Sequence, residues 1–119
     1  INDMSEVLKK LKELPEAAQR KIKLVYGNPD KLYATVYLIA RNEHVLQEEK
    51  PEQWEAKMKV VNAYQAMIRS MLDSFGLDGK EVIADITSDY LEDYVNYREQ
   101  DFGMTNEEFI SIIKRIGGE

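Results

Sequence analysis

Helix start and stop signals divide the 119-residue chain into six segments joined by short connections. Proline suits the first turn of a helix, and the residue before a proline avoids the helical conformation. Glycine ends helices because it adopts the left-handed conformation without strain. These signals predict an all-α fold: a compact bundle of about six helices in a single domain over residues 1–119. The approximate bounds are 4–14, 15–26, 29–49, 51–75, 79–100 and 106–116.

The third segment has an ambiguous pattern. Residues 32–40 carry no charge and are rich in β-branched and aromatic side chains, which fits either a buried strand or a buried helix. The distance from Asn28-Pro29 to Pro51, without a turn signal or a partner strand, favours a helix. We expect this helix to be the most enclosed one in a bundle built round the third and fourth helices.

The fourth segment carries two adjacent apolar stripes at helical spacing, which predicts neighbouring helices on two sides. The first stripe consists of Trp54, Met58, Val61, Ile68, Leu72 and Phe75. The second consists of Val60, Tyr64, Met67 and Met71.

Side chains suited to catalysis are scarce in this chain, which has no cysteine and one histidine, His44. The absence of cysteine excludes disulfides, thiolate zinc sites and cysteine nucleophiles. The serines lie in no strand-turn-helix context of the kind that exposes a nucleophile. We therefore expect His44 to be a hydrogen-bonded or partly exposed helix residue, and the protein to be a non-enzyme without metal or cofactor.

No apolar run approaches the roughly 18 residues that a membrane span needs, so we expect no membrane association. The first residues lack a charged segment followed by an apolar stretch, which is the pattern of a secretory signal. The default expectation is a cytoplasmic location.

The chain has 16 basic and 22 acidic residues. This balance argues against nucleic-acid binding, whose affinity comes largely from counterions released by lysine and arginine. Basic residues nevertheless gather in residues 9–31, as a secondary patch that is either a solvated face or a nucleic-acid surface. Its members are Lys9, Lys10, Lys12, Arg20, Lys21 and Lys23.

The fifth segment is strongly acidic, because residues 73–101 hold nine acidic residues against two basic ones. A projection at about 100° per residue places five carboxylates within an arc of about 80°. They are Glu81, Asp85, Asp89, Glu92 and Glu99. The opposite arc is apolar and holds Tyr90, Tyr94 and Tyr97, with Asp93 at its edge. Like charges four residues apart destabilise a helix, so this stripe is either a solvated face or a surface for a basic partner.

The three tyrosines fit a protein interface as well as a core, since tyrosine is enriched at interfaces. We therefore expect a non-catalytic protein-binding module that engages a basic partner surface through the fifth helix. The candidate residues are Glu81, Asp85, Asp89, Glu92, Asp93, Tyr90, Tyr94 and Tyr97. Size and charge are those of acidic inhibitors of the immunity, antitoxin or phage anti-defence type, which is an analogy.

Two alternatives remain open at this point. One is a self-associating structural or assembly protein, bacterial or phage, that uses the apolar stripes of the fourth helix. The other is a nucleic-acid binder that uses the lysine-rich residues 9–31.

Overall fold

The computed structural model describes residues 2–118, with side chains from Glu6 onward. It consists of six helices and confirms the predicted all-α bundle. The helices are α1 Asn2–Lys12, α2 Glu16–Val25, α3 Pro29–Glu49, α4 Pro51–Ser74, α5 Gly79–Val95 and α6 Asn106–Ile116. None of the described helices combines the length and the apolar composition that a membrane crossing requires.

The starts of α3, α5 and α6 follow from side-chain capping, in which a polar side chain accepts a hydrogen bond from an amide that has no partner within the helix. The side chain of Asn28 accepts from the amide of Lys31 at 2.8 Å. Asp78 caps α5 through the amide of Glu81, at 3.2 Å. Thr105 caps α6 through the amide of Glu108. Asn28, Asp78 and Thr105 therefore begin α3, α5 and α6.

The end of α5 differs from the prediction, because the helix stops at Val95 and not at Gln100. The amide of Arg98 donates to the carbonyl oxygen of Asp93 at 2.8 Å and closes the last turn. Tyr97 takes the left-handed conformation there, with φ of 54°. Neither glycine nor proline marks this end, so helical periodicity alone overshoots it. The segment that carries Tyr97 and Glu99 is a loop.

The first helix is also displaced from its predicted bounds. It spans Asn2–Lys12 and not residues 4–14, and the second helix begins at Glu16 with Pro15 as its cap. The amides of Glu13 and Leu14 still bond back to α1, so the chain leaves this helix gradually. Start and stop signals in the sequence do not predict the exact last residue of a helix that ends in this gradual way.

The most enclosed helix is α3, as predicted. Its buried residues form an almost continuous run: Leu32, Tyr33, Ala34, Thr35, Val36, Tyr37, Ile39 and Ala40. Leu11, Ile22, Leu72, Ile86 and Ile112 reach the same buried cluster from α1, α2, α4, α5 and α6 and have no exposed surface. The core is therefore built round α3 with a contribution from each of the other helices.

The distal part of the α3–α4 hairpin lies outside this core. Burial ends at Ala40 along α3 and begins only at Ile68 along α4. The second predicted stripe of α4 is consequently only partly covered, since Val60 and Met67 are exposed. The predicted neighbours on two sides are present, since α4 packs against α3, α5 and α6, but they leave these two positions of the second stripe uncovered.

Candidate functional site

Two carboxylates of α5 face α3 and accept hydrogen bonds from its tyrosines. The hydroxyl of Tyr33 donates to Asp89 at 2.7 Å, and the hydroxyl of Tyr37 donates to Asp93 at the same distance. The two tyrosines are four residues apart on α3, and the two aspartates are four residues apart on α5. The two hydrogen bonds therefore join the same face of α3 to the same face of α5. We call these four residues the tyrosine–aspartate pairs.

Asp93 is the more enclosed of the two acceptors, with 5% of its surface exposed. Its carboxylate also accepts from the side-chain amide of Gln100 at 3.1 Å and forms an ion pair with Arg98 at 3.3 Å. A buried carboxylate is costly unless hydrogen bonds and an opposite charge compensate it. Asp93 therefore joins α3, α5 and the loop after α5 in one polar cluster.

The tyrosine hydroxyls of these pairs stay protonated. Burial, reinforced by the hydrogen bond to Asp89, raises the pKa of Tyr33 far above the usual value for tyrosine. Burial and the hydrogen bond to Asp93 raise the pKa of Tyr37 in the same way. A neutral hydroxyl beside a carboxylate is a donor, so both bonds keep one direction across the physiological pH range.

His44 is a hydrogen-bonded, partly exposed helix residue, as predicted. Its Nδ1 lies 2.9 Å from the hydroxyl of Tyr90, and its Nε2 lies 3.7 Å from the carboxylate of Glu48. The ring packs edge-on against Tyr94, with 4.5 Å between ring centres. His44 thus places the aromatic end of α5 against α3.

The predicted arc of five carboxylates is not a continuous stripe. Asp89 bonds to Tyr33, and Glu99 lies beyond the helix end. Glu92 forms an ion pair with Arg98 at 3.3 Å. Glu81 is exposed and Asp85 is half-buried. The carboxylates of α5 therefore divide into inward and outward groups, and their role in partner binding stays a prediction.

The three candidate tyrosines differ in exposure. Tyr90 is buried, with 6% of its surface exposed, whereas the exposed fractions of Tyr94 and Tyr97 are 54% and 96%. Leu91 and Val95, which the sequence-based site omits, are also exposed. We call Leu91, Tyr94, Val95 and Tyr97 the α5 tip. Three of them, all but Leu91, line one shallow depression with Arg98 and Glu99.

Leu91 and Val95 had a signal in the sequence. On the helical projection they lie about 60° or more beyond Tyr94, outside the apolar arc. Apolar residues off the buried arc of an amphipathic helix are candidates for a surface patch. Their spacing of four residues, next to two tyrosines, indicates such a patch at the end of α5.

Tyr97 combines a strained backbone with an exposed side chain. A left-handed conformation costs an L-residue roughly 1–2 kcal/mol, and for a bulky residue it is an outlier. Helices that end in this way usually place glycine at that position. Tyrosine at this position, with almost its whole side chain in solvent, gains little packing in return.

Replacing Tyr97 with glycine is expected to raise the free energy of unfolding by about 1 kcal/mol, because glycine removes the strain and little packing is lost. Urea unfolding followed by circular dichroism measures the change. Tyr97→Phe is the matched control, since it keeps the β carbon and the ring. Equal stabilities of the glycine and phenylalanine variants would contradict the strain at this position.

The basic residues of the secondary patch lie on α1 and α2 and are exposed. Two of them already have acidic partners, because Lys12 pairs with Asp30 at 3.6 Å and Arg20 pairs with Glu16 at 3.2 Å. The patch is thus partly neutralised by its neighbours, which is typical of a solvated face. Nucleic-acid binding through this patch stays an untested alternative.

Among the described residues, no group of three or more potential ligands (histidine, cysteine, aspartate or glutamate) is placed to hold a metal ion. Comparisons of the chain with protein-family models, with curated proteins and with solved structures found no match.

Proposed function

We propose that this protein is a non-catalytic binding module that docks on a partner protein through the α5 tip. The observation that carries the proposal is Tyr97, an aromatic side chain 96% exposed on a backbone with φ of 54°. Strained residues persist where the surrounding structure holds them, and they cluster at functional sites. A strained and solvated tyrosine is a cost to the free protein that partner binding offsets.

The composition of the α5 tip supports docking on a protein. Tyrosine and arginine are enriched among the residues that contribute most to binding energy at interfaces. Tyr94 and Tyr97 lie beside Arg98. Val95 adds an apolar side chain to the same surface, and this residue is 68% exposed. Tyr94 packs against His44, so one tyrosine of the tip is already held in place before a partner binds.

The charge around the α5 tip favours a basic partner surface. Arg98 is engaged by Glu92 and Asp93, so its charge is compensated within the chain. Glu99 lines the same depression and makes no ion pair with any residue whose side chain the structure describes. Carboxylates around an aromatic centre attract lysine and arginine, which speeds association and makes the affinity fall with salt.

Affinity capture from the source cell tests the docking surface. We expect wild-type protein and Val60→Ala, which changes an exposed apolar residue on α4, to retain the same stoichiometric partner. We expect Tyr97→Gly to lose that partner although its fold is at least as stable. Retention of the partner by Tyr97→Gly would contradict the proposal. Light scattering of the purified protein separates this binding from self-association, which predicts a mass that rises with concentration.

A charge change on the captured complex tests the chemistry of the partner. Glu99→Lys is expected to lower the rate of association with the partner. The difference in rate from wild type should become smaller as salt is added. Glu107→Lys makes the same change at an exposed position of α6 and serves as the control. Equal association rates for the two variants would mean that the partner surface is not basic where it meets the α5 tip.

A further inference from the structure

A groove runs between the C-terminal part of α3 and the end of α5, beside the α5 tip. Its volume is about 310 Å³, which lies at the lower end of the range of small-molecule sites. We call it the α3–α5 groove. It is lined by Arg41 and Val45 of α3, Tyr90 and Tyr94 of α5, and Glu99 and Gln100 of the following loop.

Two opposite charges line the α3–α5 groove without contacting each other. Arg41 and Glu99 form no ion pair with one another or with any other residue whose side chain is described. Arg98 also lines the groove, but Glu92 and Asp93 engage it. The groove therefore offers one uncompensated cation and one uncompensated anion on its walls.

Aromatic rings form the inner surface of the groove. Tyr37 and Tyr90 meet edge to face, with 5.6 Å between ring centres, and both are buried. Tyr94 and Val45 add a more exposed apolar edge. The side-chain N–H of Gln100 donates to Asp93, and the side-chain oxygen of Gln100 accepts from no residue whose side chain is described. Such a surface suits a ligand that carries a flat apolar ring beside a pair of opposite charges.

We propose that the α3–α5 groove binds a small aromatic zwitterion of the free amino-acid class. The ligand carboxylate pairs with the guanidinium of Arg41, whose planar donors match a carboxylate. The ligand ammonium pairs with Glu99 and the amide oxygen of Gln100. The ligand ring packs on Tyr90 and Tyr94. The groove shares Tyr94, Arg98 and Glu99 with the depression at the α5 tip, but this binding needs no partner chain.

Titrations monitored by amide and side-chain NMR shifts test the zwitterion directly. The probes are L-phenylalanine, phenethylamine, which lacks the carboxylate, and 3-phenylpropionate, which lacks the ammonium. We expect L-phenylalanine to shift the Arg41 Nε–H and Gln100 amide signals and to bind at least about tenfold more tightly than either analogue, because each charge–charge hydrogen bond is a strong contact. Equal affinities for the three probes, or no saturation with L-phenylalanine, would overturn the proposal.

Two variants assign the two charges separately. Arg41→Gln is expected to weaken L-phenylalanine and 3-phenylpropionate about tenfold and to leave phenethylamine unchanged. Glu99→Gln is expected to weaken L-phenylalanine and phenethylamine and to leave 3-phenylpropionate unchanged. Arg20→Gln, on α2, is the control and should bind all three probes as wild type does. Losses that do not follow this crossed pattern would reject the assigned orientation, and equal behaviour of Arg41→Gln and Arg20→Gln would reject the site.

Discussion

Replacement of Asp93 by alanine is expected to lower the free energy of unfolding by about 3 kcal/mol. Asp93 is 5% exposed and accepts from Tyr37 and Gln100 while pairing with Arg98. Its loss leaves a buried tyrosine hydroxyl without an acceptor and removes one of the two carboxylates that hold Arg98. Chemical unfolding followed by circular dichroism measures the change.

The control for Asp93 is on the same helix. Asp85→Ala makes the same substitution at a half-buried position, and we expect it to change stability by less than about 0.5 kcal/mol. Tyr37→Phe removes only the hydroxyl, so a double-mutant cycle with Asp93→Ala isolates the energy of that one bond. A stability of Asp93→Ala equal to that of Asp85→Ala would show that the polar cluster contributes nothing to the fold.

Replacement of Gly79 by alanine is expected to destabilise the protein by about 2 kcal/mol, although alanine is the better helix former. A β carbon on Gly79 would lie 2.5 Å from the carbonyl oxygen of Arg69 and 3.0 Å from its Cα. Both atoms belong to the backbone of α4, so one helix has to move away from the other. The amide of Gly79 also donates to the side chain of Asp73 at 2.8 Å, and such a shift lengthens that bond.

Gly117→Ala provides the comparison for Gly79, and calorimetric or chemical unfolding of both variants provides the measurement. Gly117 has φ of −77°, which alanine adopts freely. Its added β carbon would lie 3.5 Å from a ring carbon of Tyr64, an ordinary contact. We expect a change of less than about 0.5 kcal/mol. If the two alanine variants lose equal stability, close helix approach at Gly79 is not what makes glycine necessary there.

The fold was largely predictable because its helix boundaries depend on local chemistry. Asn28, Asp78 and Thr105 each satisfy an amide three residues ahead, and this interaction needs no knowledge of the rest of the chain. The end of α5 was not predictable in this way. There, a tyrosine occupies the left-handed position that glycine normally marks. The tertiary hydrogen bonds at this helix end are those of Asp93 with Tyr37 of α3 and Gln100 of the following loop.

The candidate site was predictable only in outline. The concentration of tyrosines and carboxylates in α5 is visible in the sequence, but whether each faces inward depends on its partner. On the helical projection Asp89 lies only about 20° from Val82, so a small tilt of the helix decides its side. Tyr33 and Tyr37, whose hydroxyls select Asp89 and Asp93, are 56 residues away in the chain. No sequence pattern marks Arg41 as a ligand-binding residue, and only its position on the wall of the α3–α5 groove makes it a candidate.

The tyrosine–aspartate pairs also determine when the proposed docking surface forms during folding. The two helices they join are separated by the whole of α4, so their contact forms only after that helix has turned the chain back. Closing such a loop has an entropic cost that local helix formation does not repay. A synthetic peptide of α5 alone would therefore carry the right residues without presenting the surface, and recognition by a partner reports on the assembled three-helix unit.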